Sequence, residues 1–383
     1  MAEPTPTLSA SVIMPTYNKA RYLDLTLASF LHQTSRDYEI VITDDGSTDE
    51  TQAVIARYQE RLDLRCLRQA NRGRAAARNA AIQQARGDIL IFADDDRIAS
   101  PDFVAEHVKA FSSDSDRTIV LGWQYSMLTW WSRDLDIWHR LHPFLGESPE
   151  LVRRLLEHEE LQLVTAEDVE HRYEQVLESF SLLEPWWEGR VMPTLQAFSE
   201  DLSSFHLCWS LGTTGNMSVT RKRVIEAGLF DEAFSNWGLE DTELCFRLVH
   251  GGHRTVARRT AVSFHQIHMN SPTRLDEWHK NYLYFASKHD SIQLSLYALL
   301  LQRKLTPLEA HHLADECQTL LREGRPVLVD ELKRLYRTML SVGRALSPPT
   351  WPSPAPTSGL SLARPRLPKK VREEPTRAKV QAG

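Results

Sequence analysis

The chain has 383 residues and a formal net charge of −6, with 42% hydrophobic and 25% charged residues. That length buries one large or two medium domains, and the acidic balance excludes the basic footprint of a nucleic-acid binder. Met-Ala-Glu-Pro-Thr-Pro-Thr at the start lacks the basic and apolar stretches of a signal peptide, and no apolar run reaches the ~18 residues of a membrane helix. Cys66, Cys208, Cys245 and Cys317 have neither CxxC nor zinc spacing and read as thiols in a reducing compartment. The expected location is cytoplasmic, with peripheral membrane contact left open.

Residues 9–121 alternate strand and helix. Ser11-Val-Ile-Met14 reads as a buried strand, and Leu23, Leu27 and Leu31 then recur at helical spacing. A second strand is expected over Tyr38–Thr43. Ser47-Thr-Asp-Glu50 has the spacing of a capping box and predicts a helix through Val54, Ile55 and Tyr58. A third strand follows over 62–67, then an Ala-rich helix over 75–85 closed by Gly87. Asp88–Ala93 is the fourth strand, Pro101 opens a helix, and Thr118–Leu121 is a fifth strand. Strands separated by helices predict an α/β fold with a doubly wound, mostly parallel sheet, whose first unit would be residues 1–121 (the donor-binding half, on the resemblance given below).

Residues 122–206, rich in Leu, Glu, Arg and Trp, predict a helical insertion. Its tryptophan pairs, Trp130-Trp131 and Trp186-Trp187, suit either a core or an aromatic-lined groove. A second α/β stretch spans 207–272, and 273–346 has helical periodicity. From Ser347 to Gly383 the composition turns to Pro, Ser and basic residues and predicts a disordered tail.

Asp94-Asp95-Asp96 closes the fourth strand. Three adjacent carboxylates repel one another unless a cation or hydrogen bonds compensate. The carboxyl ends of strands are where open α/β sheets bind ligands. One reading is a divalent metal holding a phosphate-bearing substrate; the other is a solvated Asp-rich turn. Asp44-Asp45-Gly46-Ser47 follows the second strand and should face the same edge. A carboxylate there accepts hydrogen bonds from a nucleobase imide or a ribose hydroxyl, or else caps its own turn.

Four motifs come in a recognisable order: Ser11-Val-Ile-Met-Pro-Thr-Tyr-Asn18, Asp44-Asp-Gly-Ser-Thr-Asp49, Asn71-Arg-Gly-Arg-Ala-Ala-Ala-Arg-Asn79 and Phe92-Ala-Asp-Asp-Asp96. Together they resemble the family-2 glycosyltransferases, inverting enzymes of the GT-A fold that use nucleotide-diphosphate sugars. Gly215-Asn-Met-Ser-Val219 and Trp237-Gly-Leu-Glu-Asp-Thr-Glu243 resemble the acceptor-side module of galactosyltransferases and bacterial chondroitin-type polymerases.

The resemblance implies roles. Asp94 and Asp96 would be the outer positions of a DxD motif, Asp96 the main metal ligand and Asp94 shared between metal and ribose, with Asp95 as the spacer that best tolerates substitution. Asp45 would contact the base, lined by Pro15 and Tyr17, and Arg72, Arg74 or Arg78 would reach the base or diphosphate. Asp241 would be the general base and Glu240 would orient the acceptor, with Asn216 and Trp237 on the acceptor side. His265 would be the third metal ligand, with His268 as the alternative.

The implied cofactor is Mn2+ or Mg2+, the donor a nucleotide sugar with UDP foremost, and the acceptor a carbohydrate or glycoconjugate, as in polysaccharide biosynthesis. Leu239 departs from a Trp-Gly-Gly-Glu-Asp pattern and costs that loop conformational freedom. No Gln-x-x-Arg-Trp motif is present, which favours one sugar per encounter. The competing readings are a nucleotidyltransferase, for which Pro15-Thr-Tyr-Asn-Lys19 is the wrong phosphate loop, and a catalytically idle nucleotide- or carbohydrate-binding protein.

Overall fold

The computed structural model describes residues 8–111, 116–135, 148–184, 186–269 and 271–342. In chain order the strands are β1 (Ala10–Thr16), β2 (Tyr38–Asp44), β3 (Leu64–Arg68), β4 (Ile89–Phe92), β5 (Arg97–Ala99), β6 (Thr118–Met127), β7 (Trp130–Ser132), β8 (Glu160–Gln162), β9 (Ser181–Leu183), β10 (Met217–Thr220) and β11 (Arg254–Gln266). One sheet runs β3-β2-β1-β4-β10-β6-β11-β5, with β9 added beside β6; β7 and β8 form a separate pair.

The first half is parallel, as expected from strand–helix alternation. Beyond β4 the sheet is mixed: β10 is antiparallel to both neighbours, whereas β6 and β11 are parallel to each other. β1 lies between β2 and β4 with Val12, Ile13 and Met14 fully buried. Strands covered on both faces read as continuous apolar runs, which is why Ile89-Leu-Ile-Phe92 carries no alternation. Gly87 serves as a point of close approach: a Cβ there would lie 2.5 Å from the Ala10 carbonyl carbon. Its N–H donates to Ser11 Oγ at 2.8 Å, so helix Arg74–Gln84 returns tightly against β1.

Two local expectations are corrected. No capping box opens helix Thr51–Tyr58. Ser47 Oγ instead accepts from the Asn18 N–H at 2.9 Å, tying the turns after β1 and β2 together. Asp49 takes over the helix start, accepting from the N–H of Thr51 at 3.1 Å. The fifth strand is also longer than the sequence suggested, since β6 runs on to Met127 through the polar, buried residues Gln124 and Ser126.

The segment expected to be a helical insertion carries helices Pro149–Glu157, Ala166–His171, Tyr173–Phe180 and Met192–Phe198, but also β7, β8 and β9. Of its tryptophan pairs, Trp131 and Trp187 are buried, whereas Trp130 and Trp186 are half-buried. Helices Arg274–His289, Ile292–Leu301, Pro307–Arg322 and Pro326–Val342 follow β11. No helix among the described residues is long and apolar enough to cross a membrane. The tail from Ser347 lies outside the described residues.

Because β1, β2 and β4 are parallel, the turns at Pro15–Asn18, Asp44–Ser47 and Asp94–Asp96 meet at one sheet edge. β11 brings its own carboxyl end to that edge. The turn after β4 leads into β5, which pairs with β11 so that Arg97 faces His265, and the Gln266 N–H donates to the Asp96 carbonyl at 2.9 Å.

Candidate active site

Asp96, His265 and His268 form a cluster whose ligand-capable atoms all lie within 4.8 Å of one another. His268 Nε2 is 3.0 Å and His265 Nε2 3.8 Å from Asp96 Oδ2. The sequence left these two histidines as alternatives; the fold brings both to the same carboxylate. One carboxylate with two imidazoles is a mixed oxygen and nitrogen donor set that can take a divalent transition cation, Mn2+ among them. Each imidazole has an outer partner: His265 Nδ1 lies 3.6 Å from Glu184 Oε2, and His268 Nδ1 donates to the Met269 carbonyl at 2.8 Å. Burial, with Arg97 nearby, lowers the pKa of His265 and favours the neutral ring that ligates metal. Burial opposes the charge on Asp96, but Lys19, His265 and His268 hold its carboxyl well below the usual range.

Lys19 was missed. Its Nζ stands 2.8 Å from His268 Nε2 and 3.4 Å from Asp96 Oδ2. Glu184 was missed as well, since nothing in the inserted segment marks it before β9 is known to join β6.

Asp94 and Asp96 part company. Asp94 Oδ1 accepts from Arg78 Nη2 at 2.8 Å, outside the Asp96 cluster. Arg78 Nη1 donates to Glu240 Oε1 at 2.8 Å, so one guanidinium spans the turn after β4 and the start of helix Glu240–His250. Burial disfavours its charge, yet Asp94, Glu240 and Asp241 outweigh burial and raise its pKa. Asp95 turns inward and is 7% exposed, with burial and then Asp96 pushing its pKa up to about 7. That burial argues against the tolerance expected of a spacer.

Glu240 and Asp241 open helix Glu240–His250, where first-turn carboxylates complement the helix dipole. Asp241 accepts from the N–H of Thr242 at 2.7 Å and of Thr214 at 3.2 Å. Burial and then the Glu240 charge raise its pKa to about 6, with Arg78 pulling the other way. A half-buried carboxyl poised near neutrality suits the role of a general base. The preceding Leu239 takes φ +75° and is 3% exposed, so the departure noted in the sequence is accommodated by a left-handed residue pinned in the core.

The remaining expectations divide. Tyr17 is 47% exposed at the edge beside Pro15, open to a ligand. Asp45 is engaged by its own loop: its carboxylate accepts from Gln69 Nε2 at 2.7 Å and from the N–H of Arg72 at 2.9 Å and Gly73 at 2.8 Å. The Arg72 side chain points to Glu232, 2.8 Å away on the surface. Arg74 Nε lies 4.0 Å from Glu240.

Asn216 is not in the cleft. Its Nδ2 donates to Trp123 O, Ala261 O and Ser263 Oγ, each at 3.0 Å, and its Oδ1 meets His107 Nε2 at 2.8 Å. The amide is consumed joining β6, β10 and β11, which corrects the acceptor-side expectation. Trp237 carries the Arg274 guanidinium 3.7 Å over its ring, so one face of that indole is covered.

Comparison with known proteins agrees with the sequence motifs. The family model for glycosyl transferase family 2 matches residues 11–164, and that for the N-terminal domain of galactosyltransferase matches residues 198–270. The chain is 30% identical over 354 residues to the uncharacterized glycosyltransferase YfnE of Bacillus subtilis (strain 168), covering 91% of this chain and 87% of that one. It is 33% identical over 258 residues to validoxylamine A glucosyltransferase of Streptomyces hygroscopicus subsp. jinggangensis, covering 65% of this chain and 54% of that one. It is 26% identical over 262 residues to the chondroitin synthase of Escherichia coli, covering 67% of this chain and 34% of that one.

Proposed function

The chain belongs to glycosyltransferase family 2, and from that premise we propose that it moves a sugar, with inversion, from a nucleotide-diphosphate sugar to an acceptor hydroxyl in a metal-dependent reaction. UDP is the nucleotide we favour, and the acceptor is a carbohydrate or glycoconjugate. The observation that carries the reading is one sheet edge holding both a metal-competent cluster, Asp96–His265–His268, and a half-buried carboxyl of raised pKa, Asp241, with the Asp94–Arg78–Glu240 bridge between their neighbours.

In this reading the Tyr17 face receives the base, and the exposed side of Asp94 receives the ribose. Asp96, His265 and His268 would hold a divalent cation, which supplies charge neutralisation on the departing nucleoside diphosphate. Lys19, against Asp96 and His268, adds a positive charge beside the diphosphate. Asp241 takes the proton from the acceptor hydroxyl as that oxygen bonds to the anomeric carbon. The bond from that carbon to the diphosphate oxygen breaks, and its electrons leave with the nucleoside diphosphate. The raised pKa keeps the Asp241 carboxyl basic enough to accept the proton, and its partial exposure leaves it within reach of the acceptor. Trp237 offers its free face to the acceptor ring.

Thermal melting with UDP, GDP or dTDP, with and without Mn2+, tests the donor reading. A metal-dependent rise in melting temperature with one nucleotide supports it; no stabilisation by any of them refutes it. Asp241→Asn should abolish transfer and preserve nucleotide-induced stabilisation. Equal loss of both would exclude Asp241 as the base.

A further inference from the structure

Arg78 joins two places that a transferase must keep in step. It is 1% exposed and bonds Asp94 and Glu240, each at 2.8 Å, although these carboxylates stand on opposite halves of the chain. Its position is fixed from both sides. The neighbouring Asn79 clamps the backbone of Phe230, donating to its carbonyl at 2.9 Å and accepting from its N–H at 2.9 Å. The Phe230 ring lies 5.6 Å from the guanidinium. Arg78 therefore cannot follow one carboxylate at the expense of the other by moving far; it can only change how its fork is shared.

The two carboxylates are not equivalent. The Glu240 side chain is 4% exposed, whereas that of Asp94 is 28% exposed. Asp94 is the end of the bridge that an incoming ligand can reach. A hydroxyl or cation that draws on Asp94 weakens its hold on Arg78 and leaves more of that charge for Glu240 and the adjacent Asp241. By reciprocity, a change at Glu240 alters what Asp94 can give a ligand.

We propose that Arg78 is a positioning residue that couples donor occupancy at Asp94 to the acceptor-side pair Glu240–Asp241, so that the two substrates bind interdependently. This rests on the donor reading given above. A planar fork with two fixed donor directions is suited to the task in a way that a lysine ammonium is not.

The test is the affinity of the full-length chain for UDP in the presence of Mn2+, measured by calorimetric titration. Glu240→Gln should weaken UDP binding roughly three- to tenfold although Glu240 touches no donor, because Arg78 then leans on Asp94 alone. In an Arg78→Lys background the same Glu240→Gln change should alter UDP affinity less than about twofold. Should Arg78→Lys not fold, as judged by circular dichroism, an Asp94→Asn background serves in its place, where the Glu240 effect should likewise vanish. Wild-type affinity in Glu240→Gln overturns the proposal, as does an undiminished effect in either background. A wild-type chain that binds neither UDP nor GDP with Mn2+ overturns the donor reading itself, and this inference falls with it.

Discussion

Replacing Leu239 separates two opposed effects at the entrance to helix Glu240–His250. The residue sits at φ +75° and ψ −7°, where a side chain with a Cβ costs about 1 kcal/mol or more. It is nevertheless 3% exposed, and truncating a buried leucine costs about 2–5 kcal/mol. Burial therefore wins in the native protein, and both Leu239→Gly and Leu239→Ala should destabilise. Their order is the informative part. Alanine loses most of the burial and keeps the left-handed strain, whereas glycine loses the burial and sheds the strain. Leu239→Gly should thus be more stable than Leu239→Ala by about 1 kcal/mol, the reverse of the order in an ordinary helix. With Leu239→Gly about 2 kcal/mol below wild type, the melting temperature falls by roughly 3 °C and that of the alanine variant somewhat further. Urea denaturation followed by circular dichroism reads the ranking directly. An alanine variant as stable as the glycine variant, or more so, would refute the claim that Leu239 is held in a strained conformation by its packing.

Asp241 must be deprotonated to accept a proton, and its raised pKa of about 6 sets the sign: kcat/KM should climb with pH through that value and level off above it. A flat profile between pH 5 and 8 (taken as roughly the range that brackets such a base) would count against its role. His265→Ala and His268→Ala should each weaken Mn2+ binding on the order of tenfold or more, read by electron paramagnetic resonance of free Mn2+; if either leaves affinity unchanged, that histidine is not a ligand. Asn216→Ala should destabilise by about 2–4 kcal/mol in chemical denaturation, because it leaves His107 and its other partners unsatisfied in the core. The surviving folded enzyme should retain its acceptor KM, and a rise in KM without loss of stability would restore Asn216 to the acceptor site.

Strand–helix alternation and acidic turns made the parallel half of the sheet legible, because continuous apolar runs ending in Asp are local signals. Position along the chain could not show which way β10 enters, and so the mixed half of the sheet was not readable. The division of labour between Asp94 and Asp96 was also hidden. Both belong to one motif, but Arg78 claims the first and the histidines the second, and that choice depends on contacts between residues 16 and 172 positions apart. Asn216 shows the opposite failure. An asparagine within a family motif suggested a ligand contact, whereas its amide is the polar joint between three strands. Lys19 had a signal, since it directly follows the Tyr17-Asn18 turn, but a lone lysine at a helix start reads as solvated. Glu184 had none.

The pairing of β9 with β6 sets a rule for anyone who would exchange the inserted segment for that of a relative. Ser181, Leu182 and Leu183 face Met127, Ser126 and Tyr125 in antiparallel register, and Glu184 comes next, hydrogen-bonded to Ser126 Oγ. The segment is stitched into the frame at that seam. A slip of one residue would turn the strand over and carry Glu184 away from His265. Chimeras joined upstream of Ser181 keep the seam and the support it gives the histidine. Chimeras joined within it would loosen His265, and under the proposed function their failures would register first as lost cation affinity.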